Sequence, residues 1–135
     1  MRPMYETEQD RGAEERVVQL LCDRWECRWW KLPIAYRLDY SLSRGDEVEA
    51  WVEIKCRNKS YPEMNLSLHK WMAGKELNRA TGLPFILVYA FGDEVYWRAV
   101  ENDNPKVIMW GRTDRNDWQD IEPTVVFPLD GFKHL

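Results

Sequence analysis

The run from Phe85 to Phe91 constrains the fold more than any other part of the chain, because it is apolar throughout and lies between Pro84 and Gly92. A short, unbroken apolar run with turn residues on both sides is typical of a strand that is buried on both faces. Gly92 and Asp93 can form the turn of a hairpin, and Val95 to Trp97 would then be the neighbouring strand. The sequence therefore predicts a sheet with this run at its centre.

Two segments carry the signals of helices. The first runs from Glu8 to Trp25, with Thr7 as its N-cap, and the second begins at Ser67 and ends near Thr81-Gly82. The apolar residues that recur at helical spacing in the first helix, and would face the core, are Val17, Val18, Leu21 and Trp25. Glu14 lies on the same stripe, so its carboxylate is either at the edge of the stripe or directed at a functional group.

Extended segments fill the region between the two helices. Trp29 and Trp30 begin an extended stretch, and the alternation of residues from Ile34 to Tyr40 predicts a strand. The composition from Ser41 to Asp46 is that of a turn. The segment from Val48 to Cys56 then predicts the next strand.

Three further segments complete the expected organisation. Asn58 to Asn65 has the composition of a polar loop, and Val107 to Trp110 and Thr124 to Phe127 predict short strands that finish the sheet or extend its edge. At 135 residues the chain fits one domain with a hydrophobic core. The order of helix, strands, helix and strands predicts a mixed α/β fold.

Composition and charge exclude several classes of protein. No apolar run is long enough to span a bilayer, and the first residues lead into charge instead of a secretory segment, so we expect a cytoplasmic protein without a membrane partner. The three cysteines predict reduced thiols, not a disulfide framework. A net charge of -4 argues against nonspecific coating of nucleic acid. A carboxylate-rich metal site adds to that negative charge, while basic side chains can still cluster on one face.

The strand from Val48 to Cys56 carries an unusual pair of charges. Alternation places Glu53 and Lys55 on one face of this strand, and the predicted strand before it ends near Asp39. Hard divalent cations such as Mg²⁺ bind oxygen ligands, and such cations assist phosphodiester hydrolysis by activating water and stabilising charge on the phosphate. Asp39 and Glu53 could hold such a cation with the backbone carbonyl of Ile54, while Lys55 would orient or deprotonate the attacking water.

A Glu-x-Lys tripeptide on its own has a simpler interpretation. Average residue usage produces this tripeptide often, and a pair of surface charges on the open face of an edge strand would explain it. The apolar neighbours of Glu53 and Lys55 favour the functional interpretation, because charges in a buried strand are costly without a partner or a metal.

Several motifs together resemble the PD-(D/E)XK nuclease superfamily, nearest to small archaeal-type Holliday junction resolvases and phage endonuclease-like proteins. These motifs are Arg11 to Val18, Leu38-Asp39, Val52 to Arg57, Ser67-x-x-Lys70 and Leu83 to Val88. The resemblance covers about the first two thirds of the chain. It implies a restriction endonuclease-like αβββαβ core at about residues 7–92 and a β-rich extension at about 93–135.

The resemblance also implies roles for individual residues. Asp39 and Glu53 would be metal ligands, Lys55 the catalytic lysine, and Glu14 the acid of the first helix that assists the Mg²⁺ or Mn²⁺ site. Glu15 is the alternative to Glu14. Leu38 stands where the family has its proline, so the assignment of Asp39 depends on its position in the chain, and Asp46 is a more distant alternative.

Basic residues near the expected site, with the neutral Asn58 among them, are candidates for contacts with DNA, the partner that the resemblance implies. They are Arg57, Asn58 and Lys59 after the Glu53 strand, and Lys70, Lys75 and Arg79 on the second helix. Lys70 lies where many relatives have a lysine or glutamine near the metal-bound phosphate. Each could equally be a solvated surface charge. A homodimer would suit the cutting of two strands.

The functional hypothesis is a Mg²⁺-dependent endonuclease that cuts DNA by metal-activated water. The first alternative is a catalytically inactive nuclease-fold module that binds nucleic acid or acts in assembly, because a fold does not fix a function. The second is a tryptophan-rich module that binds protein or carbohydrate, with Trp29-Trp30-Lys31 as a stacking surface. The sequence leaves open the structure of the nucleic-acid substrate.

Overall fold

The central strand predicted from the apolar run lies in the middle of a six-stranded mixed sheet. The computed structural model describes residues 8–101, 105–111 and 121–135. The sheet has the order β1-β2-β3-β5-β6-β9. Its strands are β1 (Arg28–Lys31), β2 (Tyr40–Arg44), β3 (Glu47–Arg57), β5 (Phe85–Phe91), β6 (Glu94–Ala99) and β9 (Lys133–His134). Strands β3 and β5 are parallel, and the other neighbouring pairs are antiparallel.

Alternation along β5 divides the core into two layers. Ile86, Val88 and Ala90 face a first cluster with helix α1 (Glu8–Trp25), and the helix contributes the predicted stripe residues Val17, Val18 and Leu21. The residues of β5 that face the second cluster are Phe85, Leu87 and Tyr89. Helix α2 (Leu68–Thr81) packs on this second face. The sheet is therefore covered on both faces, which explains why β5 is apolar at every position.

A second, three-stranded sheet covers part of the same face as α2. Its order is β4-β8-β7, and its strands are β4 (Glu63–Ser67), β7 (Lys106–Gly111) and β8 (Ile121–Pro128). Its buried residues, among them Met64, Leu66, Val125 and Phe127, belong to the second core cluster. The C-terminal strands β7 and β8 therefore do not extend the main sheet, as the sequence had suggested, but pair with β4 beside α2.

The predicted mixed α/β fold is confirmed, and both helices lie where the sequence placed them. The proposed N-cap Thr7 lies outside the described residues. Ser67 occupies the N-cap position of α2, although its hydroxyl makes no capping hydrogen bond. The described part of the chain has no helix that is long and apolar enough to cross a membrane. Cys22, Cys27 and Cys56 are free thiols.

The predicted strand from Ile34 to Tyr40 is wrong. Residues Ile34–Tyr36 form a 3-10 helix after Pro33, and Arg37 then has a left-handed backbone with φ of 66°. The strand begins only at Tyr40, which pairs with Val52. The alternation was misleading because Ile34 and Tyr36 are exposed, at 47% and 49%, and do not face a core.

Two segments predicted as turn or loop are strands. Ser41 and Ser43 lie inside β2, which pairs with β1 on one edge and with β3 on the other, and each is 5% exposed. Only Gly45 and Asp46 remain as the turn between β2 and β3. The predicted loop from Asn58 to Asn65 contains the start of β4, whose partner β8 follows far along the sequence.

Two helical glycines make the packing of α2 testable. Gly74 is buried, and a Cβ atom built on it would lie 2.2 Å from the Phe85 ring, whereas a Cβ on Gly12 of α1 meets nothing within 4 Å. We expect Gly74→Ala to lower the free energy of unfolding by about 1–3 kcal/mol, since Phe85 is fixed in the core. Gly12→Ala should raise it by about 0.5–1 kcal/mol through helix propensity. Urea denaturation of both variants measures the difference, and equal effects would contradict the packing of α2 on β5.

Candidate active site

Glu53 is a buried carboxylate in the middle of β3. Its side chain lies on the same face of β3 as Trp51, which packs against the second core cluster, and the residue is 2% exposed. One carboxylate oxygen, Oε2, accepts a hydrogen bond from Lys70 Nζ at 2.8 Å. The other oxygen, Oε1, is buried and has no hydrogen-bond partner among the described residues. A buried carboxylate oxygen in this state is costly unless a proton or a cation compensates it.

The electrostatics of Glu53 also disfavour its charged form. Burial, and secondly the charge of Asp39, raise the pKa of Glu53 from 4.5 to about 8, although Lys70 opposes the change. Burial alone would lower the pKa of Lys70, but the carboxylates of Glu53 and Asp39 outweigh it and raise that pKa. Lys70 therefore keeps its proton, and one lysine does not neutralise the acids around it.

The sequence predicted that Asp39 lies within a strand, but it lies on the bend just before β2. Its backbone joins the sheet through Asp39 N to Val52 O at 3.2 Å and Leu32 N to Asp39 O at 2.9 Å. The carboxylate points to β3, where Oδ2 accepts a hydrogen bond from Ile54 N at 2.7 Å. Asp39 is 6% exposed. The Ile54 side chain lies in the first core cluster, so only its backbone can face the acids.

Lys31, at the end of β1, contacts two of the predicted site residues. Its Nζ lies 3.6 Å from Glu14 Oε2 and 3.7 Å from Asp39 Oδ1. The same amino group stands 4.9 Å from the centre of the Tyr40 ring. Lys31 was noted in the sequence only as part of a stacking surface. The register that pairs Lys31 with Tyr40, and so brings it beside Asp39, is not readable from the local pattern.

Glu14 and Asp46, the more distant alternative to Asp39, lie in different parts of the structure. Glu14 shares Lys31 with Asp39, and its charge also acts on Glu53. Glu14 is therefore directed at the predicted site, which is one of the two placements that its position on the stripe of α1 left open. Asp46 lies in the turn at the opposite end of the β2–β3 hairpin from Asp39. The distance along β2 separates it from the other acids.

Lys55 lies two residues beyond Glu53 on the same face of β3. Its Nζ donates a hydrogen bond to the backbone carbonyl of Asn65 in β4 at 2.6 Å, which fixes the amine across the two sheets. Burial, and secondly the charge of Arg57, lower the pKa of Lys55 from 10.5 to about 8. At pH 8 a substantial fraction of this amine is therefore neutral and able to accept a proton.

The acids lie on both sides of the sheet. Glu14 belongs to the helix that covers the first face, Glu53 lies on the second face, and Asp39 stands where β2 begins between them. In residues 8–101, 105–111 and 121–135, no group of three or more Asp, Glu, His or Cys side chains is gathered closely enough to hold a metal ion. Lysine amino groups instead contact each of the three carboxylates. The oxygen donors and the uncompensated Oε1 of Glu53 are nevertheless the chemistry that a hard divalent cation requires.

The predicted DNA-contacting residues divide into two groups. Arg57 ends β3 on the face of Glu53 and Lys55, Lys59 follows in the exposed loop, and Lys70 contacts Glu53 directly. Lys75 is five residues beyond Lys70, or about 140° around the helix, and donates a hydrogen bond to Glu101 O at 3.1 Å. Arg79 lies in the last turn of α2. Of these five residues, Lys70 contacts an acid of the site, and Arg57 acts on Lys55 through its charge.

A covered mixed sheet, an acid on the first helix, an aspartate before β2 and a Glu-x-Lys strand beside it define a nuclease fold of the PD-(D/E)XK type. The chain belongs to the family described as "Phage putative PDDEXK endonuclease", whose model matches residues 1–135. The resemblance found in the sequence is thereby confirmed. No curated protein matches the chain.

The fold is also found in a solved structure from an archaeal hyperthermophile. The structure of Hjc from Archaeoglobus fulgidus, a Holliday junction resolvase, matches with a TM-score of 0.59 over 90% of this chain and 88% of that chain. The two sequences are 13% identical. At this identity the likeness shows a shared fold, and it bears on the extension as well as the core because it covers both chains almost fully.

Proposed function

We propose that this chain is a metal-dependent endonuclease that hydrolyses phosphodiester bonds in DNA, with Mg²⁺ or Mn²⁺ as its cofactor. The family is one of PD-(D/E)XK endonucleases, which generally use divalent metals. The observation that carries the proposal is Glu53, a carboxylate buried to 2% exposure with one oxygen unpartnered and its pKa raised. A purely structural role does not explain a charge placed at such cost in a central strand.

The residues divide into ligands and proton-handling groups. Asp39, Glu53 and the Ile54 carbonyl would hold the cation, with Glu14 assisting from α1. When bound, the cation would activate water and offset the charge that develops on the phosphate. Lys55, with its lowered pKa and its fixed amine, would orient that water or take its proton.

Positive charge beside the acids supports a phosphate-bearing substrate. Arg57 and Lys59 lie beyond Lys55 in the direction of the loop, and Lys70 projects from α2 to the same acids. These side chains would bind the phosphates flanking the cut, and Lys75 and Arg79 would extend the contact along α2. Cutting both strands of a duplex needs two such sites, which a homodimer would supply.

The inactive-module alternative also has a specific observation in its favour. Lys31 and Lys70 contact the three acids, and a module without catalysis would keep these ion pairs permanently. That alternative predicts binding of nucleic acid or of an assembly partner without cleavage. The two proposals therefore differ in a direct measurement.

The decisive experiment compares two Asp→Asn variants of one hairpin. Wild-type protein should nick supercoiled plasmid with Mg²⁺ or Mn²⁺ and not in EDTA. Asp39→Asn keeps an oxygen for Ile54 N but loses the charge, so we expect at least about a 10-fold weaker Mn²⁺ affinity by calorimetry and about a 100-fold slower cleavage. Asp46→Asn, at the opposite end of the hairpin, is the matched control and should retain both. Cleavage in EDTA, or loss of activity only in Asp46→Asn, would contradict the proposal.

A further inference from the structure

Lys31 was not predicted as a site residue, but it contacts two of the three predicted acids. Its ammonium group stands within 3.6–3.7 Å of carboxylate oxygens from two different elements, Glu14 of α1 and Asp39 before β2. Glu14 lies on the helix that covers the sheet, and Asp39 lies where the chain enters β2. One ammonium group, that of Lys31, contacts both carboxylates. The side chain of Lys31 is 27% exposed, so a path to solvent remains open.

A lysine ammonium and a divalent cation disfavour each other at this position. Lysine only donates hydrogen bonds, so it cannot be a metal ligand, and its ammonium group lies 3.6–3.7 Å from the oxygens of Glu14 and Asp39 that a metal would approach. An ion bound to Asp39 would also stand within a few ångströms of the Lys31 nitrogen, where like charges repel strongly in a partly buried site. Binding of the cation therefore favours a more distant position of the Lys31 amino group.

We propose that Lys31 is a positioning residue that competes with the divalent cation for Glu14 and Asp39. In the metal-free protein it balances these two carboxylates and holds α1 against the start of β2. When the cation binds, the flexible lysine stem turns its ammonium group toward solvent. This inference rests on the proposed function, because it concerns the same metal site.

The position of Lys31 on its strand makes this exchange physically accessible. Strand β1 is an edge strand with one neighbour, β2, and the Lys31 side chain is 27% exposed, so its amino group is close to solvent. Lys70 holds Glu53 through a shorter contact of 2.8 Å from the opposite side of the sheet. Lys70 therefore contacts one of the proposed ligands, whereas Lys31 contacts two.

The test measures Mn²⁺ affinity, not activity, in three variants. We expect Lys31→Met to tighten Mn²⁺ binding about 2- to 5-fold by calorimetry, because removal of a partly exposed ion pair of this kind changes an equilibrium by about that factor. Lys31→Arg, which keeps the charge, should remain within about twofold of wild type. Lys133→Met is the matched control for net charge, because Lys133 lies on β9 at the other edge of the same sheet.

The outcomes separate this inference from the proposed function. Tighter binding in Lys31→Met but not in Lys133→Met supports competition. If wild type binds Mn²⁺ and Lys31→Met binds no more tightly than Lys133→Met, the role of Lys31 is refuted while the metal site stands. If neither wild type nor Lys31→Met binds Mn²⁺, both proposals are refuted.

If Lys31→Met does not fold, a second measurement on wild-type protein tests whether Lys31 competes with the cation. In protein with ¹³Cε-labelled lysine, titration with Mg²⁺ should move the Lys31 resonance, assigned from Lys31→Arg, toward the position of solvated lysines. The Lys133 resonance should not move. A Lys31 resonance that stays in place while Mg²⁺ binds would show that the two cations do not compete.

Discussion

Replacing Lys55 with glutamine is expected to slow DNA cleavage about 10²- to 10⁴-fold at pH 7.5, while Mn²⁺ affinity stays within about threefold of wild type. The amine is placed two residues beyond Glu53 on the same face of β3, and burial with the charge of Arg57 lowers its pKa to about 8. A group with this pKa can give and take a proton near neutral pH. Glutamine has no basic amine, but it is uncharged and fits the same space.

Glutamine separates chemistry from packing at this position. Lys55 Nζ donates a hydrogen bond to Asn65 O of the second sheet, and glutamine, although one bond shorter, keeps an amide donor on the side of that carbonyl. Single-turnover cleavage at saturating Mn²⁺ measures the step, and circular dichroism checks the fold. Lys133→Gln on β9 is the control for loss of a lysine. If Lys55→Gln cleaves as fast as wild type, Lys55 serves only to join the two sheets.

The parts of the fold that the sequence predicts are those whose pattern is local. Strand β5 was recognised from its unbroken apolar run, because both of its faces are buried. Strand β3 was recognised from the alternation of Val52 and Ile54 with Glu53, because successive residues of a strand point to opposite faces. The helix limits were equally readable, since Gly82 ends α2 with a left-handed backbone at φ of 74°.

The parts that were missed depend on partners distant in sequence. Ser41 and Ser43 have the composition of a turn, and only the presence of β1 on one side and β3 on the other makes them a strand. Met64 and Leu66 are two apolar residues in a polar stretch, which become β4 when β8 returns to pair with them. Local composition does not contain this information.

The same distinction applies to the candidate site. Glu53 and Lys55 share a strand, so their common face followed from alternation alone. Asp39 lies next to this strand although its own segment was wrongly predicted to be a strand, because the chain enters β2 one residue later. Lys31 could not be found in this way, because its contact with Asp39 and Glu14 depends on the β1–β2 register and on the packing of α1.

Replacing Glu53 with glutamine should remove function and yet stabilise the metal-free protein at alkaline pH. The folded pKa of Glu53 is raised from 4.5 to about 8, first by burial and then by Asp39. The folded state therefore binds this proton more tightly than the unfolded state, and stability falls as pH rises from about 4.5 to about 8. Glutamine has no proton to lose, and its oxygen can still accept the hydrogen bond from Lys70.

The measurement compares urea denaturation of Glu53→Gln and wild type, in EDTA, at pH 5 and pH 8. We expect the variant to gain about 2–4 kcal/mol on wild type over this interval, while its Mn²⁺ affinity falls at least about 10-fold and its cleavage at least about 10³-fold. Glu49→Gln, an exposed carboxylate of the same strand paired with Arg44, should change none of these appreciably. A Glu53→Gln protein that is destabilised equally at both pH values and still binds Mn²⁺ would instead make Glu53 the structural partner of Lys70. The predicted gain in the free energy of unfolding means that the Glu53 carboxylate destabilises the metal-free protein. Such a carboxylate is retained because it binds a cation.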